Sequence, residues 1–399
     1  MFASDEQCIV NISPWETLQI HAFSFLCGLW VVVKSAAKWG WKSKNSGHQQ
    51  KRDTPPPCLV DTSLGSHLYV KLKGVKLHYV ESGDRTSPVV LLLHGFPDCW
   101  LSWRHQIPVL ADHFRVVALD LKGFGDSDKP AWRSSYRVDT LLEELKDFIG
   151  ALGVNRCTVI GHDLGGLLGW YLVHRYPELV EKFVAISSPH PNVYWGSLPC
   201  AGTFNKRWVQ FSQLPYLPEM DALKEDLSII NQCFNHLHKT GKTESYVEAY
   251  KYAFSRKEDW TGPINYFRNL PFKRVHTDGE PTLAPCLLIV GNRDEFVSLE
   301  SMVKSTDYTC KFLLKIVDGG SHFPHQELPD VVDKMLLAFL VAPPIPAQRR
   351  EKSPSKSLVN RMFGAVSSTV KYGNQVLDSV QRRTSVVVPL ALQLGQAQS

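Results

Sequence analysis

An acidic residue occupies the place in a tight turn where a nucleophile would be presented. Residues 161–166 read Gly-His-Asp-Leu-Gly-Gly, with the short apolar run 157–160 ahead of them and a helical pattern over 167–176 behind them. This order predicts a strand, a turn that needs the glycines, and a helix, with Asp163 at the turn. A carboxylate suits attack on a saturated carbon, which leaves an ester that water can cleave. The turn therefore points to epoxides or alkyl halides as substrates.

Two further residues complete a candidate triad. Asp294 follows the buried run 287–291, and His322 follows the run 313–317. The carboxyl ends of parallel strands meet at the sheet edge where ligands bind, so we expect both side chains to lie near Asp163. The chain order Asp163, Asp294, His322 is nucleophile, acid and base.

Backbone donors for a developing oxyanion are also predicted. The run 88–93 is typical of a central strand and ends in His-Gly-Phe-Pro at 94–97. The glycine permits an unusual backbone there, so that the N–H of Phe96 can point at the site. Together with the N–H of Leu164, it would stabilise the tetrahedral intermediate of ester hydrolysis.

Taken in order, these motifs resemble the epoxide hydrolases of the α/β-hydrolase fold, and most closely their membrane-anchored epoxide hydrolase-like branch in animals. The motifs that carry the resemblance lie at 94–98, 103–104, 119–130, 161–166, 188–192, 262–265 and 321–323. The resemblance implies an α/β fold, a mostly parallel sheet flanked by helices, with an inserted helical cap. It also implies that Asp163 opens the oxirane to give an ester, which water activated by His322 and Asp294 converts to a diol.

The cap departs from the family pattern where the resemblance implies two proton-donating tyrosines. Counted from the neighbouring motifs, these slots hold Trp208 and Phe267. Tyr266 is a possible substitute acid, but a shift of one residue on a helix turns a side chain by about 100°. General-acid assistance is worth ~10²–10⁴-fold in rate, so we expect slow or substrate-shifted turnover. Other cap tyrosines could reach the pocket, although ordinary packing is the simpler interpretation of each: Tyr194, Tyr216, Tyr246 and Tyr250.

Length and composition fit one α/β domain with an insertion. The chain has 399 residues, of which 44% are hydrophobic and 21% charged. The predicted divisions are a membrane-anchor segment and linker at 1–57, core at 58–188, helical cap at 189–280, core at 281–342 and a basic tail at 343–399. Nine cysteines without a Cys-x-x-Cys pair favour a reduced, cytosol-facing compartment and argue against a structural zinc site. We expect no metal and no cofactor.

The ends of the chain suggest membrane lipid as a partner. Residues 17–33 form an apolar run that is just long enough to span a bilayer, and lysines follow it, which predicts a cytosolic catalytic domain at a membrane such as the endoplasmic reticulum. The alternatives are a surface-lying amphipathic segment and a disordered leader. Residues 357–381 have the spacing of a second amphipathic helix. Both ends are basic whereas the middle is mildly acidic, which favours anionic lipid over nucleic acid.

Two other functions share these features. A dehalogenase would use the same Asp163, but it commonly needs a halide-binding Trp after the nucleophile, where this chain has Leu164. A catalytically silent lipid-binding or scaffold protein would explain the missing cap tyrosines. The complete triad speaks against that alternative. The favoured partners are a small epoxide, lipid-like because of the membrane association, and water.

Overall fold

Five stretches of the chain are described. The computed structural model covers residues 8–39, 50–199, 205–240, 244–276 and 281–341. The predicted basic tail at 343–399, with its possible amphipathic helix at 357–381, lies outside the described residues.

A mostly parallel sheet forms the centre of the described structure. The strands are β1 Ile9–Asn11, β2 Ser66–Leu72, β3 Val75–Ser82, β4 Val89–Leu93, β5 Arg115–Leu119, β6 Cys157–His162, β7 Val180–Ile186, β8 Lys273–Val275, β9 Cys286–Gly291 and β10 Phe312–Val317. Eight of them form one sheet in the order β10-β9-β7-β6-β4-β5-β3-β2, in which β3 runs antiparallel to both of its neighbours. The strands β4, β6 and β9 are buried throughout, as central parallel strands with both faces covered must be. The predicted fold class is confirmed.

Helices cover both faces of this sheet and fill a long insertion. They are α1 Pro14–Trp39, α2 Pro57–Val60, α3 Gln106–Ala111, α4 Val138–Ala151, α5 Asp163–Arg175, α6 Pro191–Tyr194, α7 Lys206–Ser212, α8 Leu217–Ala222, α9 Lys224–Cys233, α10 Glu244–Ala253, α11 Glu258–Phe267, α12 Leu299–Ser305, α13 Pro324–Glu327 and α14 Pro329–Val341. The insertion predicted as a cap lies between β7 and β9 and contains α6 to α11.

The amino-terminal segment packs onto the end of this insertion. Strand β1 pairs antiparallel with β8, which follows α11 in the chain. Helix α1 then starts with a capping box, in which the Ser13 hydroxyl accepts from the Glu16 N–H and the Glu16 carboxylate accepts from the Ser13 N–H. Among the residues described, none of the helices is long and apolar enough to cross a membrane.

Close packing around the nucleophile turn explains its glycines. A Cβ added to Gly165 would lie 2.2 Å from the Leu93 carbonyl oxygen, and one added to Gly166 would lie 2.4 Å from the Ser188 Cβ. Asp163 itself has a left-handed φ of 45°, which is a strained conformation for a residue with a side chain. The glycines let helix α5 start directly against β4 and the residues after β7.

We predict that Gly165→Ala destabilises the fold by about 1–3 kcal/mol, because the added methyl group meets backbone that cannot move aside. The matched control is Gly150→Ala on the exposed side of α4, where an added Cβ meets no atom within 4 Å. That change should stabilise the helix by about 0.5–1 kcal/mol. Urea unfolding of both variants checks the pair, and a Gly165→Ala protein as stable as its parent would contradict the packing argument.

Candidate active site

Asp163 stands at the junction of strand β6 and helix α5, with its carboxylate buried against backbone donors. Its Oδ2 accepts a hydrogen bond from the Phe96 N–H at 3.0 Å, and the neighbouring Leu164 N–H also favours the charged form of the carboxylate. Burial raises the pKa of Asp163, and His322 and the two N–H groups offset only part of that effect. The structure thus brings both predicted backbone donors to the predicted nucleophile.

His322 and Asp294 reach the same point from the loops after β10 and β9. The His322 Nδ1 lies 3.0 and 3.1 Å from the two Asp294 carboxylate oxygens, and its Nε2 lies 3.9 Å from the Asp163 Oδ1. Burial lowers the pKa of His322, but the carboxylates of Asp294 and Asp163 outweigh it, so the pKa is above its ordinary value. Asp294 is fixed in turn by the N–H groups of Phe296 and Val297, each at 2.8 Å.

The two slots where tyrosines are expected lie side by side over the loop that carries Phe96. The ring centroids of Trp208 and Phe267 are 4.7 Å apart in a perpendicular contact, and they lie 5.4 and 5.0 Å from the Phe96 ring. Gln213, the residue from which the Trp208 slot is counted, donates to the Phe267 carbonyl at 2.6 Å. The structure therefore places an indole and a phenyl ring, and no phenol, at these two positions.

Comparison with known proteins agrees with this geometry. The family defined by the alpha/beta hydrolase fold matches residues 88–327. Epoxide hydrolase 4 of Homo sapiens is 36% identical over 334 residues, which cover 80% of this chain and 91% of that protein. Epoxide hydrolase 3 of Xenopus tropicalis is 35% identical over 77% of this chain and 83% of its own length. The chain belongs to the epoxide hydrolase family.

Solved structures lead to the same family. The crystal structure of the Bacillus megaterium epoxide hydrolase in complex with an inhibitor aligns with a TM-score of 0.62 and 28% identity, over 69% of this chain and 100% of that one. The epoxide hydrolase VrEH1 from Vigna radiata aligns with a TM-score of 0.60 at 28% identity, over 69% of this chain and 97% of its own. The chain is therefore a hydrolase enzyme of this family.

Tyr266, the possible substitute acid, faces a different part of this hydrolase. Its hydroxyl donates to the Lys122 carbonyl at 2.9 Å, and its ring lies against Tyr136 and Phe124. Burial raises the pKa of Tyr266 well above its usual value, with smaller contributions from Tyr136 and Glu144. The one-residue offset on α11 thus turns this hydroxyl to a structural contact, so Tyr266 does not replace the missing donor.

A buried polar cluster beneath the site was not anticipated from the sequence, because its members are far apart in the chain. Ligand atoms of Asp98, His162 and His325 lie within 4.8 Å of one another, a spacing that could hold a metal ion. The Asp98 oxygens already accept from the Cys99 N–H at 2.8 Å and the Ser102 hydroxyl at 2.6 Å. Burial raises the pKa of Asp98 to about 7. We assign the cluster to support of the loops beside the nucleophile.

A hydrogen bond joins this cluster to the candidate triad. His162 Nε2 donates to the His322 carbonyl at 2.8 Å, because a carbonyl oxygen can only accept. The residue before the nucleophile therefore fixes the backbone of the predicted base. The sequence signal that could have revealed this contact is the histidine at position 162 inside the elbow itself.

We predict that the pKa of His322 in the free enzyme lies above the ordinary histidine value of about 6.5. Asp294→Asn should lower it more than Asp163→Asn, because Asp294 is the larger of the two raising influences. Imidazole titration by NMR, with His322→Gln identifying the resonance, measures both shifts. The same His322 pKa in the parent, Asp294→Asn and Asp163→Asn proteins would contradict the proposed charge coupling.

Proposed function

We propose that this chain opens epoxides by forming an ester on Asp163 and hydrolyses that ester with water activated by His322. The observation that carries the proposal is the different placement of the two Asp163 oxygens. Oδ2 accepts from the Phe96 N–H at 3.0 Å, whereas Oδ1 lies 3.9 Å from the His322 Nε2. One oxygen is therefore held by a backbone donor while the other faces the base.

In the first step Oδ1 attacks an epoxide carbon, because Oδ2 is already engaged. The ester then has Oδ1 as its bridging oxygen and Oδ2 as its carbonyl oxygen. When water adds to this ester, negative charge develops on Oδ2, towards which the Phe96 N–H already points. A donor that is in place before the charge forms needs no reorganisation during the reaction.

In the second step the His322 Nε2 takes a proton from the attacking water. The Asp294 carboxylate, 3.0 Å from the His322 Nδ1, orients the ring and stabilises its positive form. Water bound between His322 and the ester carbonyl carbon completes the arrangement. Asp294 is itself held by two backbone N–H groups, so the base keeps its direction without help from substrate.

The rings around the nucleophile favour an apolar, lipid-like epoxide. Phe96 is surrounded by Trp208, Phe267 and Trp260, with centroid distances of 5.4, 5.0 and 6.0 Å. Aromatic walls bind apolar substituents and leave orientation to a few polar groups. The two cap slots supply no general acid, because Phe267 has no proton to give and the Trp208 N–H can donate a hydrogen bond without ionising. Turnover is therefore slow unless another group protonates the epoxide oxygen.

The test is covalent capture of the intermediate. His322→Gln lacks the base for the second step, so incubation with a fatty-acid epoxide should add the mass of the epoxide to the peptide that contains Asp163. Mass spectrometry locates the adduct, and His322→Gln combined with Asp163→Ala is the control that should stay unlabelled. An unlabelled His322→Gln protein across a panel of epoxides, with a known epoxide hydrolase labelled in parallel, would favour the silent lipid-binding alternative.

We also propose that helix α1 holds the protein on a membrane surface, with the catalytic domain in the cytosol. The helix turns small residues inward, where Ser24 is buried and Gly28 lies against Leu214. Large apolar side chains point outward and are more than half exposed, namely Trp15, Leu18, Phe23, Phe25, Leu26, Leu29, Trp30 and Val33. This orientation suits an apolar lipid interface, and the lysines that follow in the sequence suit anionic headgroups.

We predict that Leu29→Glu combined with Trp30→Glu weakens binding of the full chain to phosphatidylcholine–phosphatidylserine vesicles by about tenfold or more, because each buried side chain is worth roughly 1.5–3 kcal/mol. The control is Trp132→Glu, which changes another tryptophan that is 78% exposed. Vesicle co-sedimentation measures both proteins, and residual binding through the basic tail should be removed by high salt. Equal losses in the two proteins, or none, would contradict an α1 contact.

Protease added to intact microsomes should digest the catalytic domain, and protection would contradict a cytosolic orientation.

A further inference from the structure

Ring opening in the proposed pocket requires a proton for the oxirane oxygen, and neither cap slot supplies one. Trp208 and Phe267 occupy those slots, and the hydroxyl of Tyr266 is bonded to the Lys122 carbonyl. A different acid is therefore required if the proposed function is right. The question becomes which other phenol approaches Asp163.

Tyr194 lies in the segment that follows the strand between those leading to the two carboxylates of the candidate triad. It is the last residue of α6, which follows β7, and β7 lies between β6 and β9 in the sheet. Strand β6 leads into Asp163, and β9 leads into the loop that carries Asp294. The chain after β7 is also tied to the nucleophile, because the Ser188 hydroxyl donates to the Asp163 carbonyl at 2.8 Å.

The Tyr194 side chain is buried but its hydroxyl is uncommitted. It is 9% exposed, with its ring 4.8 Å from that of Trp195 in a perpendicular contact. Within the described stretches of the chain, the Tyr194 hydroxyl has no hydrogen-bond partner. This separates Tyr194 from Tyr266, whose buried hydroxyl is held by a backbone carbonyl.

The pKa of Tyr194 also responds to both carboxylates of the candidate triad. Burial raises the pKa of Tyr194 well above its usual value, and the charges of Asp163 and Asp294 raise it further. Of the other buried tyrosines near the site, Tyr250 responds to Asp98 and Tyr266 to Tyr136 and Glu144. Tyr194 is thus a protonated phenol within the field of the nucleophile.

We propose that Tyr194 is the general acid that protonates the epoxide oxygen during ring opening. As Asp163 Oδ1 bonds to the epoxide carbon, the carbon–oxygen bond breaks and its electron pair stays on oxygen, which takes the Tyr194 proton. The products of this step are a neutral Asp163 ester, a hydroxyl group on the substrate and a Tyr194 phenolate.

Ester hydrolysis, the second step, returns Asp163, His322 and Tyr194 to their starting protonation states. His322 takes one proton from water, the hydroxide adds to the ester, and the departing alcohol oxygen takes the proton back from His322. Asp163 is left as a carboxylic acid, whose proton passes to the Tyr194 phenolate. One epoxide and one water give one diol, and no further reactant is needed.

Loss of charge on Asp163 during ester formation assists the proton transfer from Tyr194 to the epoxide oxygen. The Asp163 carboxylate is one of the two charges that oppose a phenolate at Tyr194. Forming the ester neutralises that charge in the same step in which the proton leaves. Tyr194 therefore becomes a stronger acid as ring opening proceeds.

The test compares rates of ester formation in the His322→Gln background, where the adduct accumulates. Tyr194→Phe should slow formation of the Asp163 adduct by ~10²–10⁴-fold, the usual loss for a general acid. The matched control is Tyr266→Phe, which also removes one buried hydroxyl and should leave the rate nearly unchanged. Rapid quenching followed by mass spectrometry measures all three rates.

A second variant separates lost acidity from damaged structure. Phe267→Tyr restores a phenol in one of the expected slots, so adding it to Tyr194→Phe should recover much of the lost rate. An adduct that forms equally fast with and without the Tyr194 hydroxyl, or equal slowing by Tyr266→Phe, would overturn this proposal alone. Failure of His322→Gln to form any adduct while Tyr194 is intact would instead overturn the proposed function and this acid with it.

Discussion

The left-handed turn at Asp163 is the constraint on which the site depends. A φ of 45° directs the carboxylate out of the sheet between the ends of β4 and β6, where the Phe96 N–H meets it at 3.0 Å. That turn is possible only because Gly165 and Gly166 lie against the Leu93 carbonyl and the Ser188 side chain. The proposed nucleophile, the proposed oxyanion donor and helix α5 are thus positioned together by backbone contacts that tolerate no side chain.

The order of the strands then decides which groups meet at this turn. Strands β6, β7, β9 and β10 are consecutive neighbours in the sheet; Asp163, Asp294 and His322 follow β6, β9 and β10, and the proposed acid Tyr194 lies in the helix after β7. Because parallel strands end at one edge, residues separated by up to 159 positions become neighbours. Catalytic geometry in this protein follows from topology, with short hydrogen bonds fixing the final angles.

Features set by the order of the strands could be predicted from the sequence, whereas contacts between distant side chains and backbone could not. Asp163, Asp294 and His322 each stand just past a buried apolar run, so strand pattern and chain order were enough to foresee their meeting. The offset of Tyr266 from the expected slot was predictable from helix geometry, but its partner was not, since the carbonyl of Lys122 is distant in the chain. The outward face of α1 was equally hidden, because residues 17–33 are mostly apolar and Leu214, which packs against Gly28, is distant in the chain.

On the proposed mechanism, one charge controls both proton transfers. In the free enzyme the Asp163 carboxylate helps to raise the pKa of His322 and of Tyr194, which favours the protonated form of both groups. Formation of the ester removes that charge, so Tyr194 gives up its proton more readily and His322 becomes neutral more readily. Ring opening needs the first change and ester hydrolysis needs the second. The nucleophile therefore prepares its own acid and base by reacting, which explains why a buried carboxylate can drive two steps of opposite proton demand.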